Sequence, residues 1–439
     1  MRKTNKKGFT IIELVIVITV IAILAGVMIP TFASVIDKAH RSGDKQLAAN
    51  MNTILTAHAD EVEDFDDVVS LLRKNGYSLA ALNASAKDCY YVWDKANNRI
   101  FIVDADADYA PIYEGTEPSA NKADWFVAVS NDAAANEVKG SLTDVNIKQV
   151  TVDIDDLMDS IENLNTAKEI YIDEATILTK NKIISITDAS ANLTLNLGDS
   201  TLTTNGTLAD KIPLAVENGK LTINGGNIGA MGTTINEHGS FPTAVYACEG
   251  ELHITGTTFN LSNGNATVID GGTATIKNVV VNSSVAKYAF NIAGGITEVA
   301  AVTITNSTAT TANPVFNVCN YTNSHSTTLS TLTVNGGTYT STGTAKGVVS
   351  LCGGDVTINS GKFINENASG AMFTCASNGA PLNKVVIKGG TFVIGNTTYN
   401  YNELTEAIVK DVLIHQVLKD AYNIAIDTSN GITITFTKK

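Results

Sequence analysis

Arginine is nearly absent from this chain of 439 residues. Its four arginines are Arg2, Arg41, Arg73 and Arg99, so the 340 residues after Arg99 contain none. Arginine clamps carboxylates and phosphates with two parallel hydrogen bonds, so recognition of that kind is excluded from most of the chain. Basic charge is scarce overall, because 30 lysines and arginines stand against 44 aspartates and glutamates and leave a net charge of −14. Nucleic acid is therefore not an expected partner, since binding to phosphates needs a basic surface.

Cysteine motifs for metal binding or redox chemistry are also missing. The five cysteines are Cys89, Cys248, Cys319, Cys352 and Cys375, and no two of them have C-x-x-C spacing. Three acidic residues alternate at Asp104, Asp106 and Asp108, but the glycine and the distal glutamate of an EF-hand loop do not follow them. We expect a solvated loop there rather than a calcium site. The sequence predicts no metal and no cofactor.

The most apolar part of the chain lies close to its N-terminus. Residues 1–8 carry four basic residues and no acid, and the 24 residues Phe9–Phe32 carry a single charge, Glu13. At about 1.5 Å per residue this run spans roughly 36 Å as a helix, enough for a bilayer core of about 30 Å. The basic flank predicts a single membrane pass with the N-terminus in the cytoplasm and the rest of the chain outside. An ordinary signal peptide would have an apolar stretch of only about 7–15 residues and a small-residue cleavage site.

Glu13 is out of place in an apolar span. A carboxylate in lipid costs roughly 2.5–3.5 kcal/mol on insertion scales unless a cation pairs with it. The sequence around it, KKGFTIIELVIVITVIAILAGVMIP, resembles the N-terminal segment of type IV pilins and of the pseudopilins of type II secretion. In those families a short basic leader ends in Gly, Phe follows, and Glu stands four residues after the Phe.

The resemblance implies a role for each matching residue. Gly8 would be the last leader residue, cut by a prepilin peptidase, and Phe9 would become the N-methylated N-terminus. Glu13 would attract the charged amine of Phe9 on a neighbouring subunit during filament assembly. Pro30 matches a proline at which the family's helix bends or melts, and an interior proline independently removes one helical hydrogen bond. Removal of the leader would leave 26 basic and 44 acidic residues, a net charge of −18.

The next segments predict a long helix followed by a small α+β head. Apolar residues with helical spacing at Leu47, Met51, Ile54, Leu55 and His58 predict that the N-terminal helix continues to about residue 60, with His58 packed in a core. Residues 64–75 read as a short helix, 90–103 as a β-hairpin and 125–129 as a strand. Residues 153–163 read as a helix that joins this head to the next domain. Such a head resembles those of pilin-like proteins.

A loose internal repeat fills residues 166–397. Seven apolar anchors recur 22 to 31 residues apart: Ile223, Ile254, Ile276, Ile304, Val334, Ile358 and Ile387. Five residues after each stands a second apolar residue: Ile228, Phe259, Val281, Ala309, Tyr339, Phe363 and Phe392. Four of the repeats share one sequence motif, in which the end of a strand is followed by a glycine turn and a second strand. The four copies of this motif are ENGKLTI, CEGELHI, DGGTATI and CGGDVTI.

Short strands, glycine corners and a minimum repeat near 22 predict a parallel β-helix of three strands per coil. This region resembles the pectate-lyase-like right-handed β-helix superfamily. Equivalent side chains should stack, with an aromatic ladder of Tyr339, Phe363 and Phe392. A cysteine ladder of Cys319, Cys352 and Cys375 is also expected, either as buried thiols or with a disulfide between neighbouring coils.

Catalysis is not expected. Polysaccharide lyases of the β-helix superfamily use an aspartate cluster and usually an arginine base, whereas the solenoid here has no arginine and its acids are isolated. Asp270 and Glu298 stand about one coil apart, but no motif supports them as a glycosidase pair. His238, His253 and His325 lack a nucleophile-elbow phrase. No catalytic residue is predicted.

The predicted architecture is α+β followed by all-β. Its segments are a leader (1–8), a pilin-type helix (9–60, with 9–32 in the membrane), a pilin-like head (61–165), a parallel β-helix (166–397) and a C-terminal cap (398–439). The cap is expected to hold a helix, with Leu404, Ile408, Val412 and Leu413 on one face, and a closing strand.

The expected function is that of a minor or tip subunit of a type IV pilus, processed by prepilin peptidase, assembled with other pilin subunits and displayed at the cell surface. Three corner loops, 294–301, 320–330 and 376–383, are the expected contacts for a host or glycan ligand. The alternatives are a type II secretion pseudopilin and a membrane-anchored polysaccharide-active enzyme.

Overall fold

A computed structural model describes most of the chain. The described residues are 11–79, 89–151, 154–172, 176–178, 184–204, 214–230, 243–261, 264–283, 288–300, 303–306, 314–319, 329–342, 347–375 and 382–439. Contacts divide the chain into two compact units. The first unit consists of the chain up to Val129 together with Asn136–Ile147. The second unit consists of Ser130–Ala135 and Lys148–Lys439.

The first unit combines a long helix with a small antiparallel sheet. Its elements are α1 (Ile11–Ala57), α2 (Phe65–Lys74), β1 (Cys89–Asp94), β2 (Arg99–Asp104), β3 (Ala110–Ile112) and β4 (Trp125–Val129), with 3₁₀ turns at Ala105–Ala107 and Lys122–Asp124. Helix α3 (Asp132–Ser141) belongs to this unit from Asn136 onward. The sheet has the strand order β3-β2-β1-β4, and all three pairings are antiparallel. The predicted hairpin, strand and short helix are therefore confirmed. Whether the unit is a pilin-like head stays a prediction.

Helix α2 begins where its sequence places a capping box. The carboxylate of Asp64 accepts hydrogen bonds from the backbone of Asp66 and Asp67, and the carboxylate of Asp67 accepts one from the backbone of Asp64. These contacts satisfy N–H groups that the first turn of a helix leaves unpaired. The helix buries Phe65, whose ring lies 5.6 Å from that of Phe126 on β4.

The second unit is a parallel β-solenoid of about six turns. Helix α4 (Ile154–Ile161) lies near its start, and β5 (Asn146–Thr151) pairs in parallel with β6. The coil strands are β6 (Ala167–Ile172), β7 (Thr176–Leu178), β8 (Ile184–Ile186), β9 (Asn192–Thr204), β10 (Leu214–Val216), β11 (Lys220–Ala230), β12 (Thr243–Ala247), β13 (Glu251–Thr255), β14 (Thr258–Leu261), β15 (Asn265–Lys277), β16 (Val280–Ser283), β17 (Phe290–Ala300), β18 (Thr303–Asn306), β19 (Phe316–Cys319), β20 (Thr331–Ser341), β21 (Val349–Cys352), β22 (Gly354–Asn365), β23 (Phe373–Thr374), β24 (Leu382–Ile387) and β25 (Thr391–Ile394). Each pairs with its equivalent in the neighbouring coil.

The register of these strands confirms six of the seven predicted anchors. The stacked row is Ile223, Ile254, Ile276, Val299, Val334, Ile358 and Ile387. The anchor predicted at Ile304 is wrong, because Ile304 stacks between Val281 and Tyr339 in the second row. The anchor of that coil is Val299, and the five-residue spacing to the second row still holds. The predicted equivalent of Tyr339, Ala309, lies outside the described residues.

Glycine occupies one corner in five coils, and Ala191 and Ser330 occupy the equivalent position in two others. Gly219, Gly272, Gly295 and Gly354 all have positive φ angles, between 65° and 86°. A Cβ on Gly272 would overlap the carbonyl oxygen of Gly250 in the preceding coil. At these four positions the left-handed conformation favours glycine, and at Gly272 the close approach of the neighbouring backbone also leaves no room for a side chain.

The C-terminal cap differs from the prediction of a helix. Residues 401–421 break into a 3₁₀ turn (Tyr401–Glu403), α5 (Glu406–Ile408), a π-helical turn (Val409–Leu413) and α6 (Gln416–Ala421). Within this stretch the buried residues are Val409, Leu413, Ile414 and Leu418, and the half-buried Leu404 and Val412 pack against the same core. Three of the four residues of the predicted face therefore contact the core, although they do not lie on one continuous helix.

The break comes from backbone pairing with the last coil. The Met372 N–H donates to the Leu413 carbonyl at 2.9 Å, and the His415 N–H donates to the Phe373 carbonyl at 2.9 Å. Ile414 is thereby held extended between α5 and α6, since the unpaired edge of β23 needs a partner. The other edges are covered by β26 (Thr397–Asn400) on β25 and by β28 (Ile432–Lys438) on β24, with β27 (Tyr422–Asp427) outside β28.

Candidate assembly segment and solenoid surface

The first half of α1 exposes a continuous apolar surface. Between Ile11 and Ile36, seventeen large hydrophobic residues are exposed, and the exposed fraction of each lies between 46% and 81%. Within the described residues, α1 is the one helix long and apolar enough to cross a membrane, and none of its apolar window is buried inside the protein. A surface of this kind is unstable in water, so it requires lipid or other apolar helices around it.

Polar groups in this span are satisfied by the helix itself. The Thr19 hydroxyl donates to the Val15 carbonyl at 2.7 Å, and the Thr31 hydroxyl donates to the Val27 carbonyl at 2.9 Å. Such bonds remove the cost of a bare hydroxyl in lipid. Glu13 is the one charged residue of this part of α1.

The predicted site residues at the N-terminus are placed only in part. Gly8 and Phe9 lie outside the described residues, so cleavage and methylation there stay predictions, as does the role of Glu13 in assembly. Pro30 lies inside α1, which is helical on both sides of it. The residue four positions earlier is Gly26, which has open space where a Cβ would be. The bend at Pro30 also stays a prediction.

The second half of α1 is fixed into the first unit. Its buried residues are Asp44, Ala48, Met51 and Leu55, at intervals of four, three and four residues. His58, predicted to be a core residue on this face, comes after the end of the helix and is a half-exposed partner of Glu61 at 2.9 Å. That prediction was wrong, because the helix ends at Ala57.

Two polar contacts between α1 and β2 were not foreseen. Arg41 forms an ion pair with Asp104 and lies 3.4 Å from Asp37, and the bond to Asp104 raises the pKa of the guanidinium. The Asn52 side chain donates to the Ile100 carbonyl at 2.8 Å and accepts from the Ile100 N–H at 2.6 Å.

Asp104 is therefore not part of a solvated loop. It is a buried partner of Arg41, and its carboxylate also accepts the Asp106 N–H at 3.1 Å. Asp106 and Asp108 are exposed, as expected. The rarity of arginine was the available signal, because a lone Arg41 just after an apolar span needs an acidic partner.

Several polar residues of the solenoid bind each other. Glu251 pairs with His253 and lies 3.3 Å from Lys220, and the His253 bond is the main cause of the lowered pKa of Glu251. Asp270 is buried and accepts a hydrogen bond from the Tyr246 hydroxyl at 3.2 Å. Burial, with Asp270 nearby, raises the pKa of Tyr246. Among the described residues no group of three or more His, Cys, Asp or Glu could hold a metal ion.

The predicted contact loops fall largely outside the described residues, which exclude 320–328 and 376–381. The loop predicted at 294–301 is wrong, because Phe290–Ala300 forms one strand, β17. The adjacent Gly294 and Gly295 suggested a loop, but they make only the tight corner within that strand.

A comparison with known protein families finds a match that overlaps the apolar first half of α1. Residues 3–29 match the family described as "Prokaryotic N-terminal methylation motif". No curated protein and no solved structure matched this chain. The motif implies processing by prepilin peptidase and assembly with other pilins in a membrane-associated system. The motif and the apolar helix together fit a membrane-anchored protein that is displayed at the surface. The N-terminal segment is thus that of a type IV pilin-like or pseudopilin-like protein.

Proposed function

We propose that this protein is a minor or tip subunit of a type IV pilus that displays its β-solenoid as an adhesive, non-catalytic domain. Two features of the same chain carry the proposal. One is an exposed apolar helix that overlaps a prepilin motif, and the other is a solenoid of about six turns. The helix gives the chain a means of assembly, and the solenoid gives it an extended rigid surface. A domain of this bulk suits a sparse subunit better than a densely packed one.

The acidity of the chain supports a neutral or basic ligand. Without its leader the chain carries a net charge of −18, and the solenoid has no arginine to clamp carboxylates. One outer face carries exposed asparagines that bond between coils, with Asn282 donating to Asn260 at 3.1 Å. Exposed amide groups of this kind suit the hydroxyls of a surface glycan.

The assembly role is tested with the full chain in its own cell. Glu13→Ala should abolish incorporation into sheared filaments while membrane insertion persists, because the mutation removes the carboxylate that would attract a neighbouring N-terminus. Thr19→Ala is the matched control, since it alters a polar residue of the same span without changing its charge. Normal incorporation of Glu13→Ala would refute the proposal.

The display role needs a separate measurement. Filaments that contain the chain should bind to a glycan array or to host cells, and filaments from a deletion strain should not. If deletion instead blocks export of another protein, the chain is a secretion pseudopilin. If the filaments release oligosaccharides from a panel of acidic polysaccharides, the solenoid is an enzyme.

A further inference from the structure

A small groove lies in the first unit between α1 and the sheet. We call it the Lys45–Arg99 groove, and it is formed by Lys45, Ala49 and Asn52 of α1 against Arg99 of β2 and the Tyr113–Glu114 segment after β3. The bond between Asn52 and Ile100 holds the helix against the strand, and the short side chain of Ala49 leaves a gap beside it. The cavity volume is about 30 Å³, too small for a small-molecule ligand but enough for the end of one side chain.

The charge of this groove is opposite to that of its surroundings. Lys45 is exposed, and the Arg99 guanidinium is fixed at the rim by a bond to the Glu114 carbonyl. Even with the Glu114 carboxylate counted, the groove carries a net charge of +1. Residues 33–165, in contrast, contain 24 acidic and 11 basic residues. A basic, partly apolar slot on an acidic domain selects an acidic segment with a small apolar side chain.

The chain itself contains a segment with these properties. Residues 60–63 read Asp-Glu-Val-Glu, and the three acidic residues are exposed while Val62 is half-buried. This Asp60–Glu63 turn carries three negative charges around one short apolar side chain. Glu61 contacts His58 at 2.9 Å and is still 62% exposed.

The turn does not fill the groove of its own chain, because none of residues 60–63 lines it. The turn follows the end of α1, and the nearest α1 residue of the groove, Asn52, lies five residues before Ala57, or about 7.5 Å along the helix axis. The groove and the turn are therefore two different surface patches of the chain, one beside α1 and the other after its end. A contact between them is therefore heterologous, and contacts of that kind build open fibres when the rotation does not close a ring.

We propose that the Asp60–Glu63 turn of one copy docks into the Lys45–Arg99 groove of a second copy, with carboxylates against Lys45 and Arg99 and Val62 against the apolar floor. The inference rests on the assembly part of the proposed function. It goes further by naming the contact and by requiring that at least two copies stand side by side. A subunit that occurs in short runs meets this requirement, and a single-copy tip subunit does not.

Cross-linking in the native membrane tests the contact directly. The full chain carrying both Lys45→Cys and Glu63→Cys should form a disulfide-linked dimer when the cells are treated with copper–phenanthroline. Each single variant should not, because the five native cysteines are buried. Cross-linking to a different subunit, or no cross-linked product, would overturn the proposal.

Charge reversal separates docking from folding. In the otherwise unchanged chain, Lys45→Glu should lower the recovery of copies that co-purify as neighbours by about tenfold, because attraction becomes repulsion. Adding Glu63→Lys on the same chain should restore recovery, which a misfolded protein would not show. Lys38→Glu is the matched control, since Lys38 is exposed on the same helix and lies outside the groove. If Glu13→Ala blocks incorporation but neither the cross-link nor the charge swap behaves as stated, the docking inference fails and the proposed function stands.

Discussion

The thiol sulfur of Cys352 lies 3.8 Å from that of Cys375 in the next coil of the solenoid. On its other side Cys352 is in register with Cys319, so the predicted cysteine ladder is present. The separation is a packing contact rather than a bond, since a disulfide holds its sulfurs at about 2.05 Å. All five cysteines of the chain are buried, and none of them is in a disulfide.

We therefore expect five reactive thiols in the denatured protein and none in the native one. The measurement is mass spectrometry after alkylation, without reductant, of the folded and of the guanidinium-unfolded chain. Burial protects the native thiols, because a reagent attacks only an accessible thiolate. Labelling of only three cysteines after unfolding would reveal a disulfide, and Cys375→Ala would then show whether Cys352 is one partner.

Gly272→Ala should destabilise the solenoid strongly. Gly272 has a φ of 65°, and an added Cβ would overlap the Gly250 carbonyl oxygen. Strain and overlap together should lower the free energy of unfolding by about 2 kcal/mol or more. Gly140→Ala in α3 is the control, since nothing lies within 4 Å of its Cβ position, and it should raise that free energy by up to about 1 kcal/mol. Equal midpoints of urea unfolding for the two variants would contradict this account.

The coil pattern could be predicted from the sequence because its physical causes are local. Glycine corners such as Gly272 recur in several coils, and the five-residue spacing from Ile223 to Ile228 recurs from coil to coil, whatever the length of the insertions. The error at Ile304 arose where two apolar positions five residues apart, Val299 and Ile304, both resembled an anchor. Only pairing with Val334 and Tyr339 in the next coil distinguishes them.

Phe363→Ala should reveal how much the aromatic ladder contributes. The Phe363 ring is buried between Tyr339 at 5.1 Å and Phe392 at 5.4 Å, as the sequence predicted. Loss of the ring leaves a cavity, so we expect the free energy of unfolding to fall by about 3–5 kcal/mol. Val280→Ala, at a position 38% exposed on an outer face, should cost less than about 1 kcal/mol. Chemical denaturation followed by circular dichroism would show the difference, and similar losses would argue against a stacked core.

Contacts between distant residues limited the sequence analysis elsewhere. Arg41 and Asp104 are 63 residues apart, and no local pattern connects them. The cap was misread for the same reason, since residues 402–422 have helical spacing but the edge of β23 pairs with Ile414. In both places a tertiary partner overrides what the local sequence favours.

The Glu169 carboxylate should make the start of the solenoid sensitive to acid. Burial alone would raise its pKa, but hydrogen bonds from Lys148 at 2.5 Å, Asn196 at 3.0 Å and Tyr171 at 3.1 Å outweigh burial and lower it. The unfolded chain, with a glutamate pKa of about 4.3, then binds more protons than the native one just below that pH. The stabilisation is complete above the unfolded pKa and is lost as the pH falls through the native pKa.

Glu169→Gln should remove this part of the pH dependence. The melting temperature of the variant should fall less steeply than that of the parent between about pH 5 and pH 3, because the amide cannot be protonated in that range. Glu137→Gln, an exposed position on α3, is the control and should keep the parent slope. Calorimetric melting across this pH range gives the comparison. Parallel curves for the parent and Glu169→Gln would mean that Lys148, Asn196 and Tyr171 do not favour the ionised carboxylate as their geometry indicates.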